Sequence, residues 1–64
     1  MNKINYYEVL DQRERFMGIY STKFDSEISL GISALGMAQI NARQSGGKVY
    51  SVNFDEEREL VWPK

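Results

Sequence analysis

The stretch "SEISLGISALGMAQINA", residues 26–42, decides the fold. Advancing about 100° per residue from Ile28 sets Ile32, Leu35, Ala42, Gly31, Ala38 and Ala34 on one continuous face. Leu30 and Met37 lie at its edge, and Ser29, Ser33 and Gly36 lie opposite. The spacing predicts one amphipathic helix. "STKFDSE" just before it carries the start signals: Asp25 or Ser26 is placed to cap free backbone N–H groups, and Glu27 suits the positive end of the helix dipole. The helix is expected to end near Arg43, whose charge complements the negative end. "SGGK" then stops it, with Gly46 or Gly47 taking the left-handed conformation of a C-terminal cap.

Gly31, Ala34, Ala38 and Ala42 form a strip of small side chains within the apolar face, which lets the helix approach a sheet closely. A symmetric helix–helix contact across a dimer is the alternative use of such a strip. Ile40 breaks the pattern, because it falls about 120° around from Ile28, among the serines. It is expected to face solvent, alone or in a small contact patch with Met37 and Gly36.

The flanks of the helix read as strands. "KINYYEVLD" is rich in β-branched and aromatic residues and reads as a strand over roughly residues 3–10. The polar cluster "DQRER" turns the chain, and "RFMGIYS" is its antiparallel partner, with Gly18 marking a bulge or a close approach. After the helix, "KVYSVNF" alternates cleanly: Tyr50, Val52 and Phe54 point one way, Val49, Ser51 and Asn53 the other. "DEERE" makes a second turn, and "LVW" is a short final strand stopped by Pro63. The expected architecture is a single α+β domain over residues 1–64, ordered ββαββ, with a four-stranded, mostly antiparallel sheet and the helix packed on one face. The two hairpins are loosely alike: Leu10-Asp11 and Phe54-Asp55 each open a charged turn, and Phe16-Met17 and Leu60-Val61 follow at matching offsets. An internal duplication is one source of that likeness, and chance recurrence of charged turns is the other.

One helix covers one face of a sheet, yet the first hairpin is apolar on both. Strict alternation sets Ile4, Tyr6 and Leu10 against Tyr7 and Val9, then Phe16, Gly18 and Tyr20 against Met17 and Ile19. A one-sided antiparallel sheet normally alternates apolar-in and polar-out. The second face is therefore expected to meet another copy, to bind a partner, or to stand as a tyrosine-rich exterior.

Composition narrows the chemistry. The chain has 64 residues, 8 Lys and Arg against 9 Asp and Glu, and no Cys or His. A domain this short buries only about 60% of the surface its unfolded chain exposes. It therefore leans on a staple, self-association or a very well packed core. Disulfides and the usual zinc spacings are excluded, and no "DxDxDG" run suggests a calcium loop, so neither metal nor cofactor is expected. A net charge of −1 argues against a strongly basic nucleic-acid binder and against an acidic DNA mimic. No signal-like or membrane-spanning run is apparent, which fits the cytoplasm of a host or an infected cell.

Without His and Cys, the commonest general base and the thiol nucleophile are both missing. Glu56, Glu57 and Glu59 fall on a hairpin tip, where a solvated turn is the plain reading, and "SGGK" lacks the Walker spacing and follows a helix rather than a strand. The expectation is a non-enzymatic protein-interaction module of the kind bacteriophages and mobile elements use to modulate a host protein, with a homodimer as the other partner. Its candidate contact residues are Tyr6, Phe16, Tyr20, Ile40 and Trp62. The runner-up is a small nucleic-acid binder that stacks bases on the same aromatics, with Lys3, Arg13, Arg15 and Lys23 nearby.

Overall fold

A computed structural model describes residues 3–23 and 33–63. The elements are β1 (Ile4–Leu10), β2 (Phe16–Ser21), α1 (Ala34–Ser45), β3 (Lys48–Asn53) and β4 (Arg58–Trp62). All neighbouring strands run antiparallel, in the order β2-β1-β3-β4, with the helix against β1, β2 and β3. The α+β, ββαββ architecture expected from the sequence is the one observed.

The helix is shorter than its periodicity implies. Ser33 is its N-cap: its backbone is extended (φ −75°, ψ 166°), and its hydroxyl accepts the Gly36 N–H at 3.0 Å. α1 therefore starts at Ala34, and an uninterrupted helix from Ser26 to Arg43 is ruled out at Ser33. A periodicity count cannot register this, because a serine that caps and a serine that faces water look alike on a wheel. The expected caps Asp25 and Ser26 lie outside the described residues. At the other end the two glycines have separate reasons. Gly46 adopts the left-handed cap (φ 68°). Gly47 serves close approach: a Cβ there would lie 1.8 Å from the Leu10 carbonyl oxygen and 2.8 Å from Asp11 Cα.

Three of the four residues in the strip of small side chains do what their spacing implies; the fourth, Gly31, lies outside the described residues. Ala34, Ala38 and Ala42 are buried, and Ala38 and Ala42 close on Val9 and Val49 from the two central strands. Tyr7, Tyr20, Leu35, Val61 and Trp62 ring this cluster. Val9 and Val49 are the largest side chains that are fully buried among the described residues. Burying each is worth about 1.5–3 kcal/mol, so the core is small even for its size.

Both hairpins turn on one frame. In the first, Asp11 N–H donates to the Arg15 carbonyl, Glu14 N–H donates to the Asp11 carbonyl, and Asp11 Oδ1 accepts the Arg13 and Arg15 amides at 2.8 Å. In the second, Asn53 N–H donates to the Glu57 carbonyl, Glu56 N–H to the Asn53 carbonyl, and Asn53 Oδ1 accepts the Asp55 and Glu57 amides at 2.9 Å. Glu14 (φ 63°) and Glu56 (φ 65°) hold the left-handed position in each. The structural counterpart of Asp11 is thus Asn53 rather than Asp55. On that alignment Leu10 matches Val52 and Arg15 matches Glu57, so the likeness belongs to the turn and not to a repeated sequence.

Three one-residue bulges interrupt the ladders. Asn5 is extra between Ile4 and Tyr6, Met17 between Phe16 and Gly18, and Val61 between Leu60 and Trp62. Each moves the residues beyond it to the other face of the sheet relative to strict alternation. Gly18, at φ 155°, takes the distorted backbone of the second bulge, which answers its choice between bulge and close approach. Thr22 Oγ1 shares its proton between the Ile4 and Asn5 carbonyls, at 2.9 and 2.8 Å, and so ties the end of β2 to the first bulge.

Candidate interaction surface

The register fixes the two faces. Val9 and Val49 meet the helix, so their cross-strand partners Gly18 and Trp62 share that side, as do Tyr7, Tyr20 and Ser51. The other face holds three rows across the sheet: Ser21, Tyr6, Val52 and Arg58; Ile19, Glu8, Tyr50 and Leu60; then Phe16, Leu10 and Lys48. Phe16 is 60% exposed, Ile19 51% and Leu60 39%, so this face presents apolar side chains to solvent on both outer strands.

Its centre is polar and preorganised. Arg58, on β4, lies across β3 with its guanidinium 4.5 Å from the centre of the Tyr50 ring, and Nη2 donates to Glu8 Oε1 on β1. An arginine held over an aromatic ring and fixed by a carboxylate has lost much of its rotamer freedom before any partner arrives. Val52, beside it, is 2% exposed although it stands outside the helix-side cluster.

The five candidate residues do not form one site. Tyr6 and Phe16 share the face opposite the helix. Tyr20, grouped with them by strict alternation, lies on the helix face, because the Met17 bulge separates Phe16 from Gly18 and Tyr20. The Asn5 bulge does the same to Ile4, which aligns with Asn53 on the helix side instead of joining Tyr6. Trp62 is on the helix face too, with the Arg43 guanidinium 5.9 Å from its ring centre. Tyr20 Oη accepts a hydrogen bond from Asn41 Nδ2 at 2.9 Å, which couples β2 to α1. Ile40 is 48% exposed, as its position on the wheel predicts. It meets Tyr20 after all, since both line an open groove of about 380 Å³ with Met37, Asn41 and Gln44 along the β2 side of the helix.

Sequence reasoning missed Ile19, Leu60 and the Glu8–Arg58–Tyr50 cluster. A signal for Ile19 was present: a bulge at Gly18, one of two readings of that glycine, would have put Ile19 beside Phe16. No local signal links Glu8 to Arg58, which are 50 positions apart.

A second hollow, of about 440 Å³, lies on the helix side of β3 and β4, with Ser51, Asn53, Glu57 and Glu59 among its walls. Ser51 donates to the Glu59 carbonyl and Asn53 Nδ2 to Glu57 Oε1, so part of this polar lining is engaged within the second hairpin. Among the described residues no group of three or more acidic side chains could hold a metal ion, and no helix is long and apolar enough to cross a membrane. Among the described residues, Asp11 is the ionisable group whose surroundings clearly move it: the Arg15 backbone N–H, the Arg15 side chain and the Arg13 amide hold the carboxyl below its ordinary value. That role is structural. No protein-family model, curated protein or solved structure matches this chain.

Proposed function

We propose that the protein is a non-enzymatic interaction module that binds another protein through the sheet face opposite the helix. The observation that carries this reading is the exposure of Phe16, Ile19 and Leu60 on one face, 60%, 51% and 39%, around a fixed Arg58–Tyr50 pair. Arginine and aromatic side chains are enriched at protein contacts, and a preorganised centre lowers the ordering cost of docking. The partner is a host protein, in the setting of a phage or mobile-element accessory factor, or a second copy of the chain, in a cytoplasmic compartment.

Stacking of single-stranded nucleic acid is the competing reading, since Tyr6, Phe16 and Tyr50 share the face. Phosphate contacts supply most non-specific affinity. Here Arg58 is paired with Glu8, Lys48 with Glu14 and Arg15 with Asp11, so three cations at or near the face already have carboxylates. The test is quantitative capture by immobilised wild type and by a Phe16→Ser/Leu60→Ser double variant, alongside binding of labelled single-stranded DNA and RNA at low salt. Protein ligands lost from the variant, with no nucleic-acid binding, support the module. Equal retention by both proteins, or salt-sensitive nucleic-acid binding, removes it.

A further inference from the structure

The two edges of the sheet differ. On β4 the edge carries Arg58 and Glu59 and runs into Pro63, charge and proline being the devices that keep sheet edges from pairing. β2, the opposite edge, reads Phe-Met-Gly-Ile-Tyr-Ser: it has no charge, and Phe16, Met17 and Ile19 are all exposed large apolar residues. Its bulge lies at the N-terminal end, which leaves Gly18–Ser21 as regular strand with no other strand on its outer side among the described residues. Apolar surface also lies on both faces beside this edge, with Phe16 and Ile19 on the face opposite the helix and the Tyr20–Met37–Ile40 groove on the helix side. A strand added here would bury alternate side chains on both faces while pairing its backbone.

We infer that β2 pairs antiparallel with the β2 of a second copy of this chain about a twofold axis, joining two four-stranded sheets into one. This rests on the protein-interaction reading and specifies its partner and mode. The second copy is favoured over a foreign strand because β2 itself supplies what the site requires, an uncharged strand apolar on both faces. A twofold pairing brings each copy's Ile19 side to the other and lets each strand meet the other's groove. The chain's net charge of −1 opposes association only weakly. Association also supplements a core whose largest fully buried side chains, among the described residues, are two valines. Because the twofold contact uses the β2 edge of both copies, the pairing closes at two copies.

Light scattering after size exclusion, over a wide concentration range, tests the inference with wild type, Ile19→Lys and Phe54→Lys. Both substituted residues are exposed, so both variants keep the wild-type far-UV circular dichroism. Wild type is expected as a dimer, and Ile19→Lys weakens it about a hundredfold, since the symmetric contact loses two isoleucines. Phe54→Lys, at the tip of the second hairpin, leaves it intact, and hydrogen exchange at Gly18–Ser21 quickens when wild type is diluted. A wild type that stays monomeric overturns edge pairing, while variant-sensitive capture of a different protein would still uphold the interaction module. Equal dissociation by Phe54→Lys also overturns it, because the contact would then reach beyond β2.

Discussion

The two hairpin turns, Asp11–Arg15 and Asn53–Glu57, have the same hydrogen bonds and the same left-handed fourth residue, yet they occupy different surroundings. Asp11 is 6% exposed, beneath the helix stop, where Gly47 passes against Leu10 and Asp11. The second turn projects away from the helix, and Phe54 at its tip is 67% exposed. In one turn the acceptor is a carboxylate that also takes the Arg15 Nε–H at 3.0 Å. In the other it is an amide, whose own N–H₂ donates to Glu57 at 2.8 Å. A short polar side chain that accepts two amides two and four residues ahead is enough to build this turn. Tertiary position then decides what losing it costs, and the choice of carboxylate or amide decides whether it responds to pH.

The largest effect is expected where the first turn meets the helix stop. Gly47→Ala drives a methyl group into the Leu10 carbonyl, where backbone must shift, and is expected to cost about 3 kcal/mol. For a domain of this size that lowers the Tm by over ~12 °C, which a thermal melt would show. A drop no greater than that of Gly46→Ala, about 1 kcal/mol, would mean that the first turn is not held there.

Asp11 comes next. Asp11→Ala removes the acceptor for two amides and for Arg15, and is expected to lower the Tm more than Asn53→Ala does. The pH dependence separates the turns further. The Asp11 carboxyl is held below its ordinary value in the folded state, chiefly by the Arg15 N–H. The unfolded chain therefore takes up this proton first as the pH falls. The stabilisation is fully present above the ordinary carboxylate range, about pH 4, and is lost as pH drops through the lower folded value. Asp11→Asn keeps the Oδ1 acceptor and removes this titration. Melts between pH 2 and 6 should then show a shallower acid slope, and an unchanged slope would count against the assignment.

Asn53→Ala removes the acceptor of two amides and one donor to Glu57 in an exposed turn, for an expected loss of about 1 kcal/mol by urea unfolding. Smallest is a gain. Glu56→Gly relieves a left-handed residue at φ 65° and is expected to stabilise by up to about 1 kcal/mol, less the extra entropy of the unfolded glycine. Glu14→Gly gains less, because it also removes the exposed Lys48 pair at 3.4 Å.

Much of the fold was legible in the chain. Alternation in "KVYSVN", charged turns, glycines after the helix and a strip of alanines each state a local preference that the tertiary structure keeps. The burial of Ala34, Ala38 and Ala42 and the exposure of Ile40 follow from helical periodicity alone, and capping chemistry narrowed the left-handed cap to Gly46 or Gly47, between which the structure chose Gly46. The candidate surface was legible only in part. Tyr6 and Phe16 share a face as read, whereas Tyr20 parted from Phe16 at a bulge and Ile19 joined it.

The sequence by itself determined the element order, the small apolar face of the helix and the absence of thiol and imidazole chemistry, because these depend on residue type and near-neighbour spacing. Tertiary structure alone decided strand order, the three bulges, the serine that starts the helix and the Glu8–Arg58–Tyr50 cluster. The physical reason is the two-residue period of a strand: one extra residue turns every later side chain to the opposite face. Whether that residue is accommodated depends on strands and helices far away in the chain.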